Sequence, residues 1–392
     1  MLASLAMVAT LPGRTVGLGL ITEQLLVDLE MTRSSYAELN LWATFLGALF
    51  LFGTGPALDR SLRWTTTAVL AAFSGAVLWL AHLPGPGLLL TVLILTRGLG
   101  QSSLSLSAVA IVGKSFKKKL STAMGVFAVA TSLLFVAAIP SVDSLLGQLG
   151  WRKVWMILAA VVLGISLLVA FLIRDPQAQK SRGEDDQTTT GMPFREALRS
   201  TFFWVLTIGI GIYYFAFTGI TLFSESLVVS LDFSRDIRNW FLAIMMFSGL
   251  ASNLCCGWLV QRVSVPNIFG GAMIIFAACL IGFPVASGSI GLIYAVAVAL
   301  GVGSGAVTVI FFAGFADLFG KRHLGKIQGV AQAMTVASSG TGPLFFARSF
   351  ESSGSYSSVF FTLAPLALLV GIWALCHQRT DTFAGKRSNS TH

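Results

Sequence analysis

Two apolar segments of the chain are joined by a short polar stretch, Gly55-Pro56-Ala57-Leu58-Asp59-Arg60-Ser61-Leu62-Arg63. A weaker copy joins two further apolar segments 202 residues later, as Gly257-Trp258-Leu259-Val260-Gln261-Arg262. The same offset relates Gly17, Glu23 and Leu25 to Gly219, Glu225 and Leu227, and offsets of 203 and 204 relate Gly98 to Gly301 and Gly125 to Gly329. A register kept over this length predicts an internal repeat.

The composition restricts the class of protein. Of 392 residues, 55% are hydrophobic and 11% charged, and the mean hydropathy is +0.80. A soluble globular protein carries about 25% charged residues, and a disordered chain has far less apolar surface, so both classes are excluded. The four cysteines fall in or at the end of apolar runs, which indicates neither a disulfide framework nor a zinc site.

The apolar runs are long enough to cross a bilayer, since roughly 30 Å of hydrocarbon requires about 20 apolar residues. We therefore predict an all-α membrane protein with twelve transmembrane helices, and we expect the first to be retained rather than cleaved. The predicted spans cover residues 2–29, 36–57, 65–83, 87–112, 120–146, 152–173, 201–231, 237–259, 267–287, 289–315, 326–348 and 356–377.

Loop charges predict the orientation. Most of the 26 Lys and Arg residues fall on one side, and the positive-inside rule makes that side cytoplasmic, together with both termini. This distribution explains most of the net charge of +9 without nucleic acid.

The long polar insert divides the chain into an N-terminal six-helix bundle (1–173), a cytoplasmic linker (174–200), a C-terminal bundle (201–378) and a cytoplasmic tail (379–392). Because six crossings are an even number, the halves form a parallel repeat, which is typical of alternating-access carriers.

The repeated polar stretch has a physical interpretation. Gly55 is expected to let the second helix approach a neighbour closely, and Asp59 can face the positive N-terminus of another helix. Arg60 and Arg63 are expected to anchor the cytoplasmic face, and Gly257 and Arg262 are their counterparts in the second half.

Charges deep in a bilayer are costly and normally face a cavity or a partner. Arg14 and Arg97 lie near the middle of spans 1 and 4, without a deep carboxylate. This pattern favours an anion, because the planar guanidinium binds a carboxylate through two hydrogen bonds. An equally open interpretation is that Arg97 holds helices together. Gln101 and Ser105 follow Arg97 at helical spacing and are expected on the same face.

Further polar and aromatic residues complete the candidate substrate site. The repeat places a milder polar stripe on span 10, formed by Leu300, Ser304 and Thr308. The amides Asn253 and Gln332 are weaker candidates. In span 7, Tyr213, Tyr214 and Phe217 either form an apolar wall opposite Arg14 or pack structurally. No histidine lies in mid-membrane, so the proton carriers considered are Glu23, Glu225 and the substrate carboxylate. Glu23 lies on the opposite helix face from Arg14.

Several stretches resemble a known family. The stretch 55–63 looks like the signature loop of the major facilitator superfamily, which implies that this loop acts as a conformational latch and that helices 1, 4, 7 and 10 line a central cavity. Other motifs are similar to the monocarboxylate transporters and oxalate/formate antiporters, namely Leu11-Pro12-Gly13-Arg14-Thr15, Gly113-Lys114-Ser115-Phe116, Gly150-Trp151-Arg152, Gly329-Val330-Ala331-Gln332 and Gly342-Pro343-Leu344. Span 8 departs from this pattern, because Gly249 and Asn253 stand where the monocarboxylate family usually has Asp and Arg.

The sequence thus predicts a secondary transporter in the plasma membrane or a bacterial inner membrane, carrying a small organic anion of the monocarboxylate kind with a proton. One alternative is an exporter of drugs or other hydrophobic solutes, and another is a membrane sensor that does not transport. An enzyme is not expected, since catalytic motifs are lacking, and neither a cofactor, a metal nor a nucleic-acid partner is predicted. The run Gly301-Val302-Gly303-Ser304-Gly305 resembles a nucleotide loop, but within an apolar span we expect helix contact.

Overall fold

The computed structural model of the protein describes residues 1–115, 120–173, 192–320 and 324–388. The described residues form helices, which we number α1–α12 by predicted span. Their bounds are α1 Leu2–Asp28, α2 Arg33–Leu58, α3 Leu62–Ala81, α4 Pro86–Ser115, α5 Leu120–Leu149, α6 Trp151–Leu172, α7 Thr201–Leu222, α8 Arg235–Leu259, α9 Val265–Gly282, α10 Ile290–Phe319, α11 Leu324–Ser353 and α12 Ser357–Ser388. Short helices at Phe194–Arg199 and Ser224–Val229 flank α7.

Within the described part of the chain, eleven of these helices are long and apolar enough to cross a membrane. The twelfth, α11, is 30 residues long and rich in glycine, serine and threonine. The predicted all-helical membrane fold is therefore confirmed. Residues 174–191 of the predicted linker lie outside the described residues, and α12 continues as a helix into the predicted tail.

Local sequence explains where several helices begin. Thr32, Ser61 and Ser289 precede α2, α3 and the main segment of α10, and each side chain accepts a hydrogen bond from a backbone N–H in the first turn. This bond satisfies one of the N–H groups that have no partner inside the helix.

The chain forms two compact units. The first comprises Met1–Arg182 with two short segments from the second half, Thr218–Leu227 and Pro343–Glu351, and the second comprises Gly183–Phe217, Val228–Gly342 and Ser352–His392. In the first unit α2 packs on α4 and α3 on α6; in the second, α8 packs on α10 and α9 on α12. Each unit thus pairs its helices in the same order along the chain, as the sequence repeat predicts. The predicted division at 174–200 stays a prediction.

Glycines determine how closely these pairs approach. A Cβ on Gly305 would lie 2.4 Å from the backbone N of Asn253, and one on Gly301 would lie 2.2 Å from the carbonyl oxygen of Met245. The prediction that this glycine run mediates helix contact is confirmed. The equivalent contact in the first unit is at Gly47, where a Cβ would lie 2.9 Å from the backbone N of Gly98.

Candidate functional site

The break in α1 positions Arg14. The helix Leu2–Val8 ends, a tight turn covers Leu11–Gly13, and a second helical segment begins at Thr15. Pro12 lies in this turn, and Arg14 has an extended backbone (φ −86°, ψ 154°) that caps the second segment. The first N–H groups of a helix have no partner inside that helix and form its positive end. Arg14 therefore lies at the positive end of a helix inside a predicted membrane span.

Gly13 brings this break against α4. A Cβ on Gly13 would lie 2.4 Å from the carbonyl oxygen of Thr96 and 3.0 Å from the ring of Phe73, so a larger residue does not fit without movement. This close approach places Arg14 and Thr15 next to the segment of α4 that contains Arg97.

The Arg14 side chain contacts a hydroxyl on each of two helices and a methionine sulfur. Its Nε donates to the hydroxyl of Thr10 at 2.6 Å, and Nη2 donates to the hydroxyl of Ser105 at 3.0 Å and approaches the sulfur of Met7 at 2.9 Å. The guanidinium carbon lies 5.3 Å from the centre of the Phe135 ring, a cation–π contact. Arg14 is half-buried.

Arg97 is more deeply enclosed, with 2% of its surface exposed. Its Nη1 donates to the Thr15 hydroxyl at 2.7 Å and to Gln101 Oε1 at 2.5 Å, and Nη2 donates to Asn40 Oδ1. The buried Nε has no hydrogen-bond partner among the described residues. The hydrogen-bond partners of Arg97 in this part of the chain are thus neutral oxygens, and one donor remains to be satisfied.

The backbone around Arg97 differs from the regular helix assumed in the prediction. Thr96–Leu104 forms a π-helix, whose wider turn is often found at functional sites. Gln101 contacts Arg97 as expected, but Ser105 contacts Arg14 instead. Both side chains thus contact the arginines of this site, and the shared face of Arg97, Gln101 and Ser105 stays a prediction.

Asn40, Thr10 and Met7 are partners of the two arginines that the sequence pattern did not predict. Asn40 is 1% exposed, and a polar residue in the middle of span 2 was the available signal. Thr10 lies four residues before Arg14, a spacing at which side chains are neighbours on a helix, so this contact was accessible from the sequence. Thr15 was part of a quoted motif without an assigned role, and it now bridges α1 to Arg97.

The candidates in the second unit are arranged differently. Tyr213 is buried and donates to the carbonyl oxygen of Leu300 at 3.0 Å, with ring centroids 5.6 Å from Tyr214 and Phe217 and 4.9 Å from Phe276. This geometry matches the structural-packing alternative for Tyr213. The Thr308 hydroxyl donates to the carbonyl oxygen of Ser304 in its own helix.

The amide candidates of the second unit differ in exposure. Asn253 is half-buried on α8 beside Gly305, while Gln332 is exposed on α11. Among the hydrogen bonds of the described residues, neither amide accepts from a cation as Asn40 accepts from Arg97.

The two proton-coupling candidates lie near helix ends. Glu23 forms an ion pair with Arg33, with 2.6 Å between Oε2 and Nη2. Glu225 is half-buried in the short helix Ser224–Val229. Within the described residues, no group of three or more His, Cys, Asp or Glu could hold a metal ion.

The signature stretch requires one correction. Among the described residues, no atom of another helix lies within 4 Å of a Cβ built on Gly55, and the same is true of Gly257. The predicted close approach at Gly55 is wrong, because this face of α2 meets open space and the close approach occurs at Gly47.

The structure describes the basic side chains of the signature stretch and of its counterpart in the second half. Arg63 lies 4.9 Å from the Trp64 ring and Arg262 lies 4.2 Å from the Trp258 ring, while Arg60 is exposed. Lys114 Nζ donates to the carbonyl oxygen of Leu58 at 2.6 Å, which ties α4 to the stretch. The side chain of Asp59 lies outside the described residues.

Comparison with known proteins agrees with this fold. Solved structures similar to the chain include a mutant of the nucleoside transporter NupG, with a TM-score of 0.76, 13% identity, and coverage of 96% of this chain and 98% of that chain. A bacterial homolog of the human lysosomal transporter Spinster, inward-facing and occupied, has a TM-score of 0.68, 14% identity, and coverage of 98% and 96%. The unoccupied form of that homolog has a TM-score of 0.67.

Sequence comparison supplies the family. A search of curated proteins returns no match. The sequence profile described as Major Facilitator Superfamily matches residues 2–267 and 220–391, which together span nearly the whole chain. The chain therefore belongs to the Major Facilitator Superfamily.

Proposed function

We propose that this transporter moves a small organic anion of the monocarboxylate kind, together with a proton, by alternating access. The observation that carries the proposal is Arg97, which is 2% exposed and whose hydrogen bonds among the described residues go to the Thr15 hydroxyl and to the amide oxygens of Gln101 and Asn40. Arg14 contacts Ser105 on the same helix. A buried positive charge is costly unless it is compensated. A substrate carboxylate would supply that compensation.

The break in α1 supports the same substrate class. Transporters commonly bind anionic groups at the N-terminus of a half-helix near the bilayer midplane. Here the segment Thr15–Asp28 begins beside Arg14, so the positive helix end and the guanidinium would act on the same ligand. The buried Nε of Arg97 has no hydrogen-bond partner among the described residues, so it offers a further donor to an anion that reaches α4.

The proton carrier in this proposal is the substrate carboxylate itself or Glu225. Glu23 is less suited, because its carboxylate receives two hydrogen bonds from Arg33, at 2.6 and 3.3 Å. We further propose cytoplasmic termini, with the latch residues of the signature stretch on the cytoplasmic face.

The test is uptake of radiolabelled small carboxylates into proteoliposomes, driven by an inward proton gradient. A charge-assisted hydrogen bond contributes roughly 1.5 to 3 kcal/mol, so Arg14→Ala and Arg97→Ala should each weaken substrate affinity by about ten- to a hundredfold. Arg→Lys should also impair transport, because an ammonium cannot reproduce the planar fork.

The matched control is Arg348→Ala, since Arg348 is exposed near the end of α11 and its loss should have little effect. Unchanged carboxylate uptake in both Arg14→Ala and Arg97→Ala would contradict the anion site. Expulsion of hydrophobic cations without any carboxylate movement would favour the exporter alternative, and absence of all flux would favour the sensor.

A further inference from the structure

A cavity of about 590 Å³ lies where the end of α1 meets the turn between α5 and α6. Its walls are formed by Glu23, Gln24, Val27 and Asp28 of α1 and by residues 149–153 of the turn and the start of α6. All of these residues belong to the first compact unit. Cavities that bind small molecules have volumes of about 300 to 1,000 Å³, so this cavity is large enough to hold a ligand.

An ion pair in the cavity wall leaves one polar group of each sign for a ligand. Asp28 Oδ2 accepts hydrogen bonds from Trp151 Nε1 at 2.7 Å and from Arg152 Nε at 3.3 Å, so Oδ1 has none among the described residues. Arg152 Nη1 donates to the carbonyl oxygens of Ala81 and Leu83, which leaves Nη2 without a hydrogen bond in the same part of the chain. The side chains of the pair are 37% and 40% exposed. Both groups are therefore held in position by other bonds and remain accessible.

The remaining charges of the wall are of both signs. Lys153 is exposed and adds a second cation beside Arg152. Glu23 is already paired with Arg33, with 2.6 Å between Oε2 and Nη2. A purely anionic ligand would meet the carboxylate of Asp28, and a purely cationic one would meet Arg152 and Lys153. Charge complementarity therefore favours a ligand that carries an anionic and a cationic group.

The cavity lies at the depth of lipid headgroups, because it is formed by the ends of membrane-spanning helices. Trp151 in its wall is a residue type that is enriched at this interface. Two apolar side chains in the wall are exposed, Val27 by 77% and Leu149 by 40%. They offer a surface to acyl chains, which a water-soluble zwitterion does not have.

We propose that this cavity binds the headgroup of a phospholipid that carries a phosphate and a primary ammonium, as in phosphatidylethanolamine. The phosphate accepts hydrogen bonds from Arg152 Nη2 and Lys153 Nζ, and the ammonium donates one to Asp28 Oδ1. The acyl chains lie against Val27 and Leu149. This lipid site is independent of the transported solute.

The test uses the purified full-length protein in detergent micelles. The protein is titrated with phosphatidylethanolamine, phosphatidylcholine and phosphatidylglycerol of the same acyl chains, and native mass spectrometry gives the Kd of each lipid. Phosphatidylcholine lacks N–H donors on its ammonium, and phosphatidylglycerol lacks the ammonium. Because an exposed ionic contact changes affinity by about two- to fivefold, phosphatidylethanolamine should bind tighter than either by about this factor.

Two variants separate the two ends of the headgroup. Asp28→Asn keeps an oxygen for Trp151 Nε1 but removes the charge, so affinity for phosphatidylethanolamine should fall by about two- to fivefold and its preference over phosphatidylglycerol should disappear. Lys153→Gln should weaken both lipids by a similar factor, because both carry the phosphate. Glu30→Gln and Arg348→Gln are the matched controls, since both residues are exposed and lie outside the cavity wall, and they should bind like the parent.

The lipid site would be overturned by equal affinity of the parent for the three lipids, by an unchanged preference in Asp28→Asn, or by an equal loss in either control. If Asp28→Asn does not fold, Lys153→Gln carries the test, and parent-like affinity in that variant would also contradict the site.

A soluble competitor distinguishes a lipid from a free zwitterion. Glycerophosphoethanolamine has the same headgroup without acyl chains and should not displace the bound lipid at an equal concentration. Displacement would overturn the lipid proposal and assign the cavity to a soluble zwitterion. The measurement uses no transported substrate, so its failure and the failure of the anion proposal are distinguishable.

Discussion

Substitution of Asn40 by aspartate tests whether Arg97 binds the substrate or only packs helices. Asn40 Oδ1 accepts a hydrogen bond from Arg97 Nη2, and both side chains are at most 2% exposed. Aspartate has nearly the same shape as asparagine, so Asn40→Asp adds a negative charge without creating a cavity. The guanidinium would then have a permanent internal carboxylate.

The expected magnitude follows from the strength of that new pair. A hydrogen bond to a charged group contributes about 1.5 to 3 kcal/mol, and an external carboxylate must compete with the internal one. The KM for the carboxylate should therefore rise by about ten- to a hundredfold. Thermal stability should stay equal or increase, because a buried charge gains a partner.

The assay is proton-driven carboxylate uptake in proteoliposomes together with thermal unfolding of the purified protein. Asn267→Asp is the control, because Asn267 is exposed near the start of α9 and an added carboxylate there should change neither quantity. A variant Asn40→Asp that unfolds at an equal or higher temperature but keeps KM within about threefold would refute the reasoning. Arg97 would then be a packing residue.

Two further predictions concern packing and topology. Gly19→Ala should destabilise the protein by about 1 to 3 kcal/mol, because its Cβ would lie 2.1 Å from the carbonyl oxygen of Thr221. Gly164→Ala should change stability by less than about 1 kcal/mol, because no atom of another helix among the described residues lies within 4 Å of its Cβ. Equal effects of the two substitutions in thermal unfolding would contradict the close contact. A single cysteine at Asp185 should be labelled only after permeabilisation of cells, and labelling from outside would contradict the predicted orientation.

The fold was predictable because it depends on properties that a sequence displays directly. A bilayer requires apolar runs of a minimum length, and a repeat keeps its register in the numbering. The same holds for Gly301 and Gly305, because a glycine inside an apolar span has few roles other than close helix contact. The arginines of the candidate site were also predictable, since a deep charge is costly enough to require a function or a partner.

The tertiary structure decided which groups those charges meet. Asn40 became a partner of Arg97, and Ser105 a partner of Arg14, because of a π-helix in α4 and a break in α1. Small changes of rotation along a helix redirect long side chains by several ångströms, and local sequence preferences do not determine that rotation. For the same reason the close approach predicted at Gly55 occurs at Gly47.

The sequence by itself thus determined the membrane class, the number of spans, the parallel repeat and the deep cations, all of which follow from residue type and spacing. Only the tertiary structure decided the neutral surroundings of Arg97 and the contact between Ser34 and Glu351, which are 317 residues apart. Contacts of that separation depend on how whole helices pack, and packing is the sum of many weak contacts that no single residue specifies.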